Sequence, residues 1–205
     1  MRKYHAHGIK EYQSFVFHPY NIILFVALFG LSAMFLSLTV AFVYTRVQSA
    51  LPPLKLPLIF LINTLLLIAG SYKLIRAKKA FETDNIKLYK QLLGVTLGLS
   101  VVFLVAQVWG WYALIQNNIF LASDNSSSYL YLLSGLHFLH VIAGIPFLLV
   151  FLYRTNKYTQ QPEEQLVYFS DKSNKLRLRL ISVYWHFLDF LWIYLVLFFF
   201  TNTLI

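Results

Sequence analysis

Four ionisable side chains stand within apolar stretches: His137 and His140 in "SGLHFLHVIAG", residues 134 to 144, and His186 and Asp189 in "VYWHFLDFLWIYL", residues 183 to 195. Two neutral imidazoles at one depth on facing helices could hold a haem. A histidine with a carboxylate could hold a metal ion or relay a proton. The same groups could instead only hydrogen-bond one helix to the next.

Depth along the helices separates these options. At 1.5 Å of rise per residue, His140 lies about 17 Å from one edge of its apolar run, and Asp189 about 14 Å from the opposite edge of its own. In a hydrocarbon core about 30 Å thick these two meet near the middle. His186 and His137 lie about 9 Å and about 18 Å from a common edge, a poor match for paired haem ligands. The reading adopted is a buried hydrogen-bonded cluster that fixes packing. It predicts that Asp189 bonds to His140, His137 or His186. A small membrane cytochrome and a proton-relay or transport protein are the alternatives.

These residues must be positioned by membrane helices. The 205 residues are 59% hydrophobic and 12% charged, about half the charge of a soluble domain. Apolar runs long enough to span a bilayer occupy about 20–43, 54–75, 92–115, 129–153 and 180–202. The fold predicted is an all-α bundle of five transmembrane helices forming one domain over 20–205, after a cytoplasmic N-terminal arm over 1–19. The first run is read as a retained span rather than a cleaved signal. His5 and His7 belong to the arm as solvated residues. With no cysteine, disulfides and thiolate chemistry are excluded.

The net charge of +9 would point to nucleic acid in a soluble protein, but its distribution points to topology and to no nucleic-acid partner. Of 17 Lys and Arg, all but Arg46 and Lys55 lie in the N-terminal arm or flank the second and fourth connections. By the positive-inside rule the N-terminus is cytoplasmic and the C-terminus outside. Among these basic residues Arg76, Lys79, Arg177 and Arg179 are candidates for contacts with lipid headgroups.

Small and polar residues mark the faces expected to touch protein. In the first span these are Gly30, Ala33, Ser37 and Ala41. The second carries Asn63 and Gly70, and Asn63 requires a partner. Gly94 and Gly98 form a GxxxG pair in the third, with Gln107 on its other side. In the fourth, Ser134, His137, His140 and Gly144 form a stripe, and Pro146 predicts a kink or a compensating partner. Trp185 and Trp192 flank Asp189 in the fifth. No phosphate-binding loop, carboxylate pair or Ser–His–Asp order supports catalysis by this chain.

The fourth and fifth spans resemble subunit III of the haem-copper terminal oxidases. That family's T-G-x-H-x-x-H-V-x-x-G is matched at Gly135, His137, His140, Val141 and Gly144, with Ser134 in place of Thr. Its Y-W-H-F-x-D-x-x-W is matched by Tyr184, Trp185, His186, Phe187, Asp189 and Trp192, and "LPLIFLINTLLLIAGS" is a weaker echo of a second-span pattern. Two departures stand out: Ala33 follows Ser32 where the family commonly has Glu, and Gly110 replaces the Glu of Q-x-x-E-Y after Gln107.

The resemblance implies the short, five-helix bacterial form, multi-pass in the cytoplasmic membrane. It implies a subunit that binds no cofactor, holds structural phospholipid and supports proton uptake. Its partners would be membrane lipids, a catalytic subunit I carrying haem and copper, and other oxidase subunits, with room for a larger respiratory supercomplex. The electron donor, cytochrome c or quinol, would be decided by those other subunits.

Overall fold

The computed structural model describes residues 19–49 and 56–204. The arm over 1–19, with His5 and His7, lies almost wholly outside them, as do Lys55 and the prolines at 52 and 53. Six α-helices follow in order: α1 Pro19–Ser49, α2 Ile59–Glu82, α3 Ile86–Gln116, α4 Asn125–Lys157, α5 Pro162–Ser170 and α6 Lys172–Leu204. All but α5 are long and apolar enough to cross a membrane, and no strand occurs among the described residues. The five apolar runs are therefore five spans of a multi-pass membrane protein.

The helices outrun the hydrophobic windows, mostly where basic residues begin. A helix needs only its own backbone hydrogen bonds to continue into the headgroup zone, so hydropathy marks the bilayer core and not the helix end. The second connection consequently shrinks to Thr83–Asn85. Asp84 turns the chain at φ 54°, a conformation that Asp tolerates better than most residues, and the Asn85 side chain caps α3 by accepting from the Leu88 N–H. The resulting α2–α3 hairpin is the most extensive helix pair.

The fourth connection, read from sequence as a polar link, contains α5. Its start is legible in hindsight: Pro162 sits in the first turn, and Gln161 with Glu164 forms a reciprocal capping box. One residue anchors it. Tyr168 is buried, with its hydroxyl 2.8 Å from Thr155 Oγ1, and burial pushes its phenol above the usual range.

Two apolar clusters fill the bundle. Phe60, Phe103, Leu133 and Trp192 belong to one, nearer the end that carries Ser49 and Leu204. Leu74, Phe81, Tyr89 and Trp185 belong to the other, nearer the basic end. Most remaining large apolar side chains face outward, among them Phe25 and Phe29 of α1, as expected for lipid-facing surface.

Helix α1 packs on α4 and α6 through Phe35, Thr39 and Phe42. Thr39 Oγ1 lies 2.8 Å from the Tyr194 hydroxyl, and Arg46 donates to the backbone oxygen of Asn202 at 2.6 Å and to its side-chain oxygen at 2.8 Å. The guanidinium thereby caps the last turn of α6. Within this chain the small residues of the first span do not make that contact. Gly30, Ala33 and Ser37 are exposed, because bulky Phe side chains make the contact instead. Gly94 and Gly98 likewise have no neighbour within 4 Å of an added Cβ, so the GxxxG pair makes no close helix contact within this chain.

Candidate functional site

The predicted polar residues collect in the core between α2, α3, α4 and α6. On α4 the buried stripe runs Ser134, His137, Val141, Gly144 and Leu148, a spacing that holds one face of a helix. His140, placed on the stripe by sequence, lies one position off it and is only half-buried. Its Nδ1 is 2.6 Å from the Leu136 oxygen of its own helix, and its ring edge meets Phe35.

His137 is fully buried and holds α4 to α6: its Nε2 lies 3.1 Å from the Leu188 carbonyl. A carbonyl only accepts, so Nε2 carries the proton. That nitrogen is already committed. The ring packs against Trp192 at 4.9 Å between centroids and edge-on to Phe103 at 5.7 Å. Ser134 donates to the Leu130 carbonyl and accepts from Trp111 Nε1 at 3.0 Å, a tie from α3 to α4 that sequence reasoning missed. Trp111 stands in an apolar run with no polar residue three or four positions away except Gln107, so nothing in its own span marked Ser134 as its partner.

Gly144 is a close-approach glycine. A Cβ there would lie 2.6 Å from Trp185 Cζ3 and 3.0 Å from Tyr184 Cε1, so the missing side chain is what seats Trp185 in the core. Tyr184 adds a hydrogen bond to the His140 carbonyl at 2.9 Å. Gly135, by contrast, meets nothing within 4 Å. Helix α4 continues through Pro146 as far as Lys157, and that proline is exposed.

The partner required by Asn63 is Gln107. Both are fully buried, with Asn63 Nδ2 donating to Gln107 Oε1 at 2.9 Å. Gly110, one turn further along α3, faces Ile59 and Phe60 at 3.1 and 3.3 Å from an added Cβ. Phe60 stacks on Trp192. The space a side chain at position 110 would use is therefore filled from α2.

Asp189 is buried but does not reach His140 or His137 by any hydrogen bond. Its Oδ2 lies 3.9 Å from His186 Nδ1 and has no hydrogen-bond partner. His186 Nδ1 instead pairs with Ser71 Oγ at 2.7 Å. Ser71, His186 and Asp189 do not make a hydrolytic triad, since serine and carboxylate approach the same nitrogen and a relay needs one on each. Ser71 was not among the residues singled out from sequence, although it closes the second-span pattern.

Of the three partners expected for Asp189, His186 is the one it approaches, at ion-pair distance rather than as a hydrogen bond, and Ser71 ties that α6 pair to α2. With Oδ2 lacking a hydrogen bond among the described residues but the carboxylate held by Ser71 and near His186, Asp189→Leu should change stability by less than about 1 kcal/mol. Thermal unfolding of the four members of an Asp189→Leu/His140→Ala cycle should add within about 0.5 kcal/mol. The Asp189→Leu/His186→Leu cycle should show coupling of roughly 0.5 kcal/mol or more. Coupling to His140 instead would overturn this geometry.

At the basic end, Lys78, Lys175 and Arg179 line a cavity of about 250 Å³ with Phe81, Glu82 and Leu178. Arg154 and Arg177 line a shallower one of about 580 Å³ beside α5. Arg76 and Lys79 are exposed on α2. Among the described residues, no three His, Cys, Asp or Glu side chains converge as a metal site would require.

Comparison with known proteins gives a consistent result. The family model for cytochrome c oxidase subunit III matches residues 11–203. The cytochrome c oxidase subunit 3 of Synechocystis sp. is 27% identical over 187 residues, covering 87% of this chain and 74% of that protein. Those of Tachyglossus aculeatus aculeatus and Canis lupus are 28% and 29% identical, covering 72% and 71% of this chain. The chain spans about half the length of these mammalian relatives, 50% and 49%.

Proposed function

The chain belongs to the cytochrome c oxidase subunit III family, and from that premise we propose that it is the non-catalytic, cofactor-free subunit of a proton-pumping haem-copper oxidase. It packs beside the catalytic subunit I that holds haem and copper, within the bacterial cytoplasmic membrane. There it stabilises that subunit and supports proton uptake. The observation that carries this reading is how the core histidines are used. His137 bonds to the α6 backbone, His140 to its own helix and His186 to Ser71. His137 thus ties α4 to α6 and His186 ties α6 to α2, so two of these three imidazoles join helices.

The basic ends of α2 and α6 support a role in holding phospholipid, with Arg177, Arg179, Arg76 and Lys79 meeting headgroups. Ala33 and Gly110 stand where relatives of this type commonly carry acids, so proton uptake is supported here without either carboxylate. The proposed frame is the five-helix domain over 20–205 behind an inside arm over 1–19.

An affinity tag on this chain tests the assignment. Mild-detergent purification should bring down a catalytic subunit with haem and copper. The chain stripped of all other subunits should show no Soret band, and a band surviving that step would favour the cytochrome reading. The orientation is tested separately. A reporter fused after Ile205 should be found outside the cytoplasm, because 15 of the 17 basic residues flank the opposite side. A cytoplasmic reporter would sink that topology.

A further inference from the structure

We propose that Asn63, Gln107, His137 and Trp192 form an internal water-binding site at the centre of the bundle. Each comes from a different helix, α2, α3, α4 and α6, and all four are nearly or fully inaccessible, at 0, 0, 0 and 1%. Each also carries one polar atom that no group of the described residues satisfies: Asn63 Oδ1, Gln107 Nε2, His137 Nδ1 and Trp192 Nε1.

The four atoms are complementary in kind. His137 Nε2 spends its proton on the Leu188 carbonyl, so Nδ1 is a bare acceptor. Trp192 Nε1 can only donate. The amide pair leaves one acceptor on Asn63 and one donor on Gln107. Turning both amides over exchanges those roles and still leaves one of each, so the tally does not depend on amide assignment. Two donors and two acceptors remain, the complement of one water molecule.

The residues that carry them are also neighbours. Asn63 and Gln107 touch at 2.9 Å. Trp192 stacks on Phe60, one turn before Asn63, and packs on His137. Phe103, one turn before Gln107, contacts both the Trp192 and His137 rings. Counted along their spans, the four residues lie about 12 to 15 Å from the edge at the Ser49 and Leu204 end.

A cation is excluded by two N–H donors, and an apolar guest would leave all four groups unmet in surroundings where each is costly. Water is the small species that answers both donors and both acceptors. The site joins all four core helices through one molecule, and it stands whether or not the oxidase assignment holds.

High-resolution cryo-electron microscopy of the full chain, in the complex it purifies with or in a lipid nanodisc, is the first test. A density peak within about 3.2 Å of at least three of the four atoms is expected. Direct pairing of Trp192 Nε1 with Asn63, or the same side-chain positions with no peak, would overturn the site. The indole N–H signal of Trp192 in ultraviolet resonance Raman spectra, assigned by its loss in Trp192→Phe, gives the second. It should report a hydrogen-bonded indole in the native chain and a free one in the Asn63→Leu/Gln107→Leu variant. A free indole N–H in the native chain, or no change in the double variant, would refute the proposal.

Discussion

Gly144→Ala should destabilise the chain by about 2 kcal/mol, lowering its folded-to-unfolded ratio roughly thirtyfold, through one added methyl group. The new Cβ would lie 2.6 Å from Trp185 Cζ3, closer than packed carbon atoms come, and a tight 3.2 Å from Trp185 Cη2. Neither partner can step aside cheaply. Trp185 is 2% exposed, and Tyr184 on the other side is tied to the His140 carbonyl. Relief therefore requires α4 and α6 to part, which would also stretch the His137–Leu188 bond. Trp185→Leu removes the clashing ring atoms at the cost of a cavity. The double variant should then lose less than the sum of the two single losses. Thermal unfolding in detergent of the four proteins would measure this, and strict additivity would show that the methyl group does not meet Trp185.

Gly110→Glu should cost more, on the order of 3 kcal/mol or above. The first added atom would already press on Ile59 and Phe60 at 3.1 and 3.3 Å. Phe60 is 1% exposed and stacked on Trp192 at 5.8 Å, so it cannot yield without disturbing the core. The remaining atoms of the side chain would carry a carboxylate into the buried α2–α3 interface. Gly110→Ala should cost much less, since only a few tenths of an ångström must be found. Adding Phe60→Ala to Gly110→Glu should recover part of the loss by opening the space. Folded yield and unfolding temperature are the measures. A Gly110→Glu protein as stable as the native chain would mean that α2 does not fill that space.

The lipid-exposed architecture was legible before any coordinates. Five apolar runs gave five spans because the bilayer core leaves a helix no other way to satisfy its backbone. Asn63 and Gln107 could each be marked as buried, since a lone amide in an apolar run must face protein. Their mutual bond could not be read, because pairing residues 44 positions apart depends on how two helices rotate against each other. Helix α5 was missed for a different reason: a nine-residue amphipathic helix in a polar connection has almost no hydropathy signal, and only its capping residues announced it.

Helix faces were the weakest inference. Small residues mark where a close approach is permitted, yet α1 is held by Phe35 and Phe42 and leaves Gly30 and Ala33 outside. On α4, sequence alone could not choose between His140 and Val141 for the buried stripe, since adjacent positions differ by about 100° around the axis and several faces carry polar groups. Composition and span number were thus determined by the sequence itself, because the cost of polar groups in hydrocarbon acts on each residue separately. Which polar side chains meet across helices, with Asn63 on Gln107 and His186 on Ser71, and how Trp185 seats on Gly144, was decided only by the tertiary structure, because hydrogen bonds and close packing depend on ångström-scale rotation and shift between whole helices.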